Sequence, residues 1–306
     1  CLALENLGNN ISFFGKKNLI IFPSRRISKL DIINYFFISL RDIISCKYVV
    51  CYNLKSAHMI FILLVGFVSR TKIISDITEW HSPESRYFLY KQIKVFNVYV
   101  RMRILNRLTS GNILISSGLI KYYGRSKNII IPPLSDQKNV NVNYDCESTR
   151  LIYFGGSGGQ VKDKIDEIFR LRSSLRRHVP IVIIGDKVNK SFLKNTDLQF
   201  EWVDNCTLDS LIKKSDILVL LRDNNRLNET SFSTKLVESI SRGLKVVCTH
   251  FPGMDSHMNT NLDKQVSVIG KDDYQEFIDE SIAFDYANIF YYKNYEDKFK
   301  ELFIYR

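Results

Sequence analysis

Apolar segments of strand length alternate with segments of helix length twice along this chain, an order that fits crossover units on parallel sheets and little else. In the first half, residues 11–14, 19–22, 48–51, 72–75, 113–116 and 128–131 read as strands, and 30–45, 55–69 and 85–108 as helices. Ile131-Pro132-Pro133 breaks the pattern, and the polar stretch 134–149 carries no period and reads as a linker. The series then restarts, with strands at 151–154, 181–184, 200–203, 217–221 and 245–248 and helices at 161–174, 208–214 and 231–242. Two Rossmann-type layers are therefore expected: a first domain over 1–133, a second over 150–285, and a C-terminal helix within 286–306 able to pack back on the first. Ligands of such sheets bind beyond the carboxyl ends of the strands, which points to a central cleft between the halves. Residues 1–7 read as the end of a helix before Gly8, so the first strand and turn of the first layer are expected upstream of Cys1.

Composition narrows the partners. The chain has 306 residues, 45% hydrophobic and 25% charged, an ordinary globular balance that supports sizeable cores without staples. Its net charge of +11 suits an anionic partner such as a phosphorylated substrate, an anionic membrane surface or nucleic acid. The six cysteines form no CxxC, and Cys51, Cys206 and Cys248 lie in or beside apolar stretches, as reduced thiols of a cytoplasmic protein do. The longest apolar stretch, 59–68, is too short to span a bilayer, leaving a soluble or peripheral chain.

Two segments carry the chemistry. The run Tyr153-Phe154-Gly155-Gly156-Ser157-Gly158-Gly159-Gln160-Val161-Lys162-Asp163 is a strand entering a glycine loop and then a basic helix. Glycines let backbone N–H groups approach phosphate oxygens, and Lys162, read as first-turn, adds a point charge. Neither a GxGxxG nor a GK[ST] motif is present, so an ordinary glycine turn is the competing reading. In the second segment, Ser231, Lys235, Glu238 and Arg242 fall on one helical face while Phe232, Leu236, Ser239 and Ile240 fall on another. A lysine one turn before a carboxylate suits a nucleotide sugar, phosphate on one and ribose hydroxyls on the other; an exposed salt-bridged face is the alternative.

Together, "YFGGSGGQVKD", "SDILVLLRDNN", "SFSTKLVESISRGLKVV", "SDITEW" and "IPPL" resemble family 4-type GT-B glycosyltransferases, especially bacterial ones that build capsule, O-antigen or lipooligosaccharide. The resemblance covers most of the chain and implies an α/β fold of two Rossmann-like domains facing a cleft. It implies that Lys235 and Glu238, with Ser231 and Thr234, hold the nucleotide, and that Gly155, Gly156, Gly158, Lys162 and Arg222 surround the diphosphate. It also implies retention of anomeric configuration, no bound metal and no cofactor beyond the nucleotide-sugar substrate. Asp272-Asp273 reads as N-terminal helix charge rather than a metal motif. The family's first glutamate, eight residues before the second, is replaced here by Thr230, with Glu229 beside it as the candidate.

On the first half, Asp76, Glu79 and His81 follow a strand and are candidates to bind acceptor hydroxyls or the transferred sugar, with Trp80 stacking on a sugar ring. The segment 85–108 is basic and aromatic; one apolar stripe suits the core and another, beside Lys94 and Arg101, suits an anionic bilayer bearing a lipid-linked acceptor, against simple core packing. Three readings compete: an active transferase on a glycan or lipid-linked acceptor, an inactive GT-B module binding a sugar nucleotide or a partner protein, and, last, a nucleic-acid binder, which no motif supports. A sugar-nucleotide epimerase on the same fold would need more placed carboxylates.

Overall fold

A computed structural model describes residues 19–22, 40–41, 43–80, 88–124, 127–135, 149–157, 162–254, 265–270, 273–279 and 289–303. Two compact units emerge: 1–132 with 230–232 and 292–306, and 133–229 with 233–291.

The first unit carries a parallel sheet in the order β1 (Leu19–Phe22), β2 (Tyr48–Tyr52), β3 (Lys72–Ile77), β4 (Gly111–Leu114), β5 (Asn128–Ile130). Consecutive strands are neighbours, joined by helices such as α1 (Ser56–Ser69), α2 (Phe88–Arg103) and the short α3 (Ile120–Tyr123). Val49, Ile73, Ile74 and Leu114 are among the sheet's buried side chains, and Met59 and Ile62 of α1 join Val49 and Ile73 in one core cluster.

The second unit holds β6 (Leu151–Phe154), α4 (Ile165–Ser174), β7 (Ile181–Ile184), β8 (Leu198–Phe200), α5 (Asn205–Leu211) and β9 (Ile217–Leu220). It continues through α6 (Arg226–Thr230, whose last residue falls in the first unit), α7 (Thr234–Ser241), β10 (Lys245–Cys248), β11 (Val266–Val268) and α8 (Tyr274–Asp279). Its parallel sheet runs β11-β10-β9-β6-β7-β8, the order of a dinucleotide-binding layer in which the direction of strand addition reverses between β6 and β9. Strands β6, β7, β9 and β10 are buried at every residue, as central strands covered by helices on both faces must be. Their Ile, Leu and Val content follows from that burial.

The sequence boundaries shift where caps intervene. Ser233 accepts a hydrogen bond from the Leu236 N–H, so α7 starts at Thr234 and Ser231 lies outside it. Asp204 caps α5 through the Thr207 N–H, 2.7 Å away, moving that helix earlier than 208–214. Helix α4 begins at Ile165, which leaves Lys162 in the loop rather than in a first turn. The long basic helix ends at Arg103 and passes into a 3-10 turn, Leu105–Arg107. Cys206 is exposed near the start of α5, whereas Cys51 and Cys248 are buried as expected. Asp273 accepts from the Gln275 N–H at the start of α8, the helix-start role read for it; Asp272 is outside the described residues. The terminal helix α9 (Glu296–Phe303) belongs to the first unit, with Leu302 against Gly111 and Phe303 edge-on to Tyr48.

Candidate donor site

The reversal of strand order puts the carboxyl ends of β6 and β9 side by side. Beyond β6 lie Gly155 and Gly156; beyond β9, after Leu221, lies Arg222. Gly155 has φ +87°, and a β-carbon there would lie 3.0 Å from Lys235 Cε. Gly155 also donates its N–H to Ile184 O, which ties the turn to β7. A side chain at 155 would thus meet both backbone strain and the lysine.

Lys235 reaches this turn from the first turn of α7. Its Nζ donates to Gly156 O at 2.9 Å and to Asp163 Oδ2 at 2.7 Å, and stands 5.2 Å from the centroid of the Tyr153 ring. Arg222 Nε donates to Asp163 Oδ1 at 2.7 Å, and the Tyr153 hydroxyl donates to Asp163 Oδ2 at 2.9 Å. All three charged side chains are largely buried, 1% exposed for Asp163, 6% for Arg222 and 12% for Lys235. Burial would push the Asp163 carboxyl up, but Arg222 and Lys235 outweigh it and hold it below the ordinary carboxylate range. Burial and the neighbouring carboxylate keep the Tyr153 proton firmly on its oxygen.

The balance of charge decides what the cluster can do. Asp163 is shared by two cations, Arg222 and Lys235, so that trio by itself carries one positive charge at a strand-reversal point lined by glycine, while Asp186 accepts the Ser157 N–H of the same loop at 2.7 Å. Arg222 Nη1 is buried with no hydrogen-bond partner among the described residues, as is Asn228 Oδ1. An orphaned guanidinium donor is costly unless an acceptor arrives from outside. Nearby, Asn228 Nδ2 donates to Lys162 O and Asp223 O, and Lys164 pairs with Asp223, so the descending limb of the loop is fastened to the stretch after β9. The site therefore fits a multiply charged anion.

Of the residues read from sequence, Gly155, Gly156, Lys235 and Arg222 meet in this cluster, and Lys162 lies on the loop beside it. Gly158 lies outside the described residues. Glu238 is half-exposed and 3.8 Å from Arg242, with burial pushing its carboxyl up against the pull of Arg242 and Lys235. Thr234 is exposed at the start of α7. Glu229 is half-buried in α6, and Ser231 is buried among the residues that belong to the first unit.

Two members were missed. Asp163 stood in the motif with no role given, because nothing local announces a partner 72 residues away. The apolar pattern puts Trp202 in a strand, yet it follows β8, is 71% exposed, and lies against Gly156 and Gly185, whose β-carbons would be 3.4 and 3.3 Å from its ring. It also lines an open groove of about 850 Å³ with Lys187, Lys194 and Glu201.

On the first unit, Asp76 lies near the end of β3 and lines a crevice of about 10 Å³ with Asn53, Arg101 and Asn106, room for roughly one water. Burial pushes its carboxyl up to about 7. Glu79 is half-buried, and His81 lies outside the described residues. Trp80 is a core residue, not an open platform: it is 4% exposed, edge-on to Tyr122 with Arg103 over its ring, and its backbone N–H donates to Thr230 Oγ1. Neither apolar stripe read on α2 is wholly buried: Ile93 and Phe96 are exposed while Val100 packs against the core, and Phe88, Val95 and Tyr99 are exposed while Met102 is buried.

No family model and no curated protein matches the chain by sequence. Solved structures do match in fold. The lipopolysaccharide outer core galactosyltransferase WaaB is 13% identical with a TM-score of 0.59, over 92% of this chain and 82% of its own. HepE of Anabaena, solved in complex with UDP, is 11% identical with a TM-score of 0.58, over 89% and 82%. AviGT4, a glycosyltransferase involved in avilamycin A biosynthesis, is 12% identical with a TM-score of 0.54, over 99% and 86%. The chain has the fold of GT-B glycosyltransferases.

Proposed function

We propose that this chain is a glycosyltransferase whose nucleotide-sugar donor places its diphosphate against Arg222, Lys235 and the Gly155-Gly156 turn. The observation that carries the reading is the two cations gathered on one carboxylate there, together with the buried Arg222 Nη1 that has no acceptor among the described residues. HepE, of the same fold, was solved with UDP and with UDP-glucose, which supports a uridine or related nucleotide as the first donor to try. Trp202, exposed beside the glycines, offers a ring face to the base. As the glycosidic bond to the sugar breaks, charge grows on the diphosphate, and fixed cations and backbone N–H groups stabilise it without requiring a metal.

The reaction proposed is retaining transfer to a glycan or lipid-linked acceptor in bacterial surface polysaccharide synthesis, with Asp76, Glu79, His81 and Glu229 as the candidates for contact with acceptor or transferred sugar. The working place proposed is the cytoplasmic face of the cell membrane, supported by exposed apolar side chains and the lysines of α2. An inactive sugar-nucleotide-binding module is the second reading, favoured by Thr230 standing where related enzymes carry a glutamate: it is fully buried and accepts the Trp80 N–H.

A thermal-shift screen of UDP-, GDP- and CMP-sugars on wild type and Lys235→Ala tests the donor site. A ligand at a hundredfold its dissociation constant stabilises by about 2.7 kcal/mol. One nucleotide class should raise the melting temperature of the wild type, and Lys235→Ala should lose that response. Silence from a folded wild type across all three classes would sink the donor reading. Release of free nucleotide in the presence of acceptor separates the active enzyme from the inactive module.

A further inference from the structure

The donor reading leaves Asp163 unexplained. A site meant only to attract a diphosphate gains nothing from a buried carboxylate at its centre, since like charge opposes the ligand. Yet Asp163 is 1% exposed and takes three donors, from Tyr153, Arg222 and Lys235, at 2.9, 2.7 and 2.7 Å. Without it, two buried cations would face each other with the Gly156 carbonyl as acceptor for Lys235, and buried charge without a counter-charge is strongly unfavourable.

Resting on that donor reading, we propose that Asp163 is a built-in counter-ion, standing in for part of the diphosphate's charge while the site is empty and thereby limiting how tightly the site takes a nucleoside diphosphate. The geometry supports a holding role rather than a blocking one. Arg222 spends Nε on Asp163 and has Nη1 without a partner among the described residues, while Lys235 spends two donors, on Asp163 and Gly156, and has a third. The cations are thus assembled and oriented before any ligand arrives, with one positive charge unspent.

Asp163→Asn keeps the shape and an acceptor but removes the charge, raising the net charge of the cluster from +1 to about +2. Two effects of opposite sign follow. The empty protein melts lower, and UDP or GDP, or inorganic pyrophosphate as the bare charge, binds at least fivefold more tightly by isothermal titration at fixed ionic strength. A purely structural aspartate would give the first effect with weaker binding. Because Asp163→Asn itself could fold poorly, the double variant Asp163→Asn/Lys235→Met supplies a second measure: removing the excess cation should recover at least half of the lost melting temperature. Wild type binding a nucleotide that Asp163→Asn binds no better would overturn the counter-ion role and leave the donor site standing. A double variant as unstable as the single one would overturn it too. If neither wild type nor Asp163→Asn takes any of the three ligands, the donor reading falls with it; binding by Asp163→Asn alone would support the counter-ion role.

Discussion

Asp76 and Asp163 are the same residue type under opposite electrostatic control. Asp163 is held below the ordinary carboxylate range, so its contribution to stability is present above a pH of about 4 and is lost as pH falls through its lowered value. Asp76 is pushed up to about 7 by burial, so its ionised form is disfavoured in the fold. Sign follows from that: the unfolded chain gives up this proton near pH 4, the folded chain near 7, and stability falls as pH rises between them. Asp76→Asn should therefore be more stable than wild type at pH 8, by about 1–3 kcal/mol, and nearly equal to it at pH 4. Urea denaturation at the two pH values measures the difference. A gap of the same size at both would mean that the carboxyl is not titrating out of place, and that the substitution acts through packing alone.

The unit of construction at the donor site is the strand-turn-helix from β6 through the glycine loop into α4, held to β7 by the Gly155 N–H. Gly155→Ala asks an L-residue to adopt φ +87° with the Lys235 stem 3.0 Å from its β-carbon. The expected cost is about 1–2 kcal/mol in stability, and displacement of Lys235 should reduce the nucleotide-induced rise in melting temperature. An unchanged response to nucleotide would place the diphosphate away from this turn. Much of this element was legible in sequence, because central parallel strands must be apolar at every position and the glycines mark the turn directly. Element ends were less legible: Ser233 and Asp204 could each cap or continue a helix, and only the folded backbone decides. Trp80 and Trp202 exchanged roles for a similar reason. Apolarity says that an indole prefers a surface to cover, but which surface depends on Tyr122 and Arg103 for one and Gly156 and Gly185 for the other. Asp163 was the least legible, since its partners Arg222 and Lys235 come 59 and 72 residues later, across the strand-order reversal.

Across the molecule, exposed apolar surface is divided unequally. Among the described residues, the second unit exposes Phe192, Leu198 and Trp202 as its large apolar side chains, whereas the first exposes whole helical rows. Ile60, Leu64 and Phe67 of α1 follow i, i+4, i+7, and Leu64 and Phe67 are 64% and 86% exposed. Leu89, Ile93 and Phe96 repeat that spacing on α2, a helix with Lys91 and Lys94 near them and no acidic residue, whereas its Arg101 donates to Leu54 O and its Arg103 lies over Trp80 and Tyr122. Helix α1 bears no Asp, Glu, Lys or Arg and is followed by Arg70 and Lys72, which border a groove of about 550 Å³ beside Leu64 and Phe67. Apolar rows interleaved with cations are the pattern of a surface that lies on anionic lipid, where each basic residue adds about 1 kcal/mol of attraction. The described residues contain no helix long and apolar enough to cross a membrane. Co-sedimentation with vesicles should show binding to phosphatidylglycerol-containing membranes, weak binding to phosphatidylcholine alone, and loss of binding as salt rises. Leu64→Glu/Phe67→Glu should cut the bound fraction severalfold while leaving the melting temperature and the nucleotide response unchanged, because both side chains already face solvent. Equal binding by that variant would move the contact off α1, and a salt-insensitive dimer that the variant dissolves would assign the same rows to a second copy of the chain.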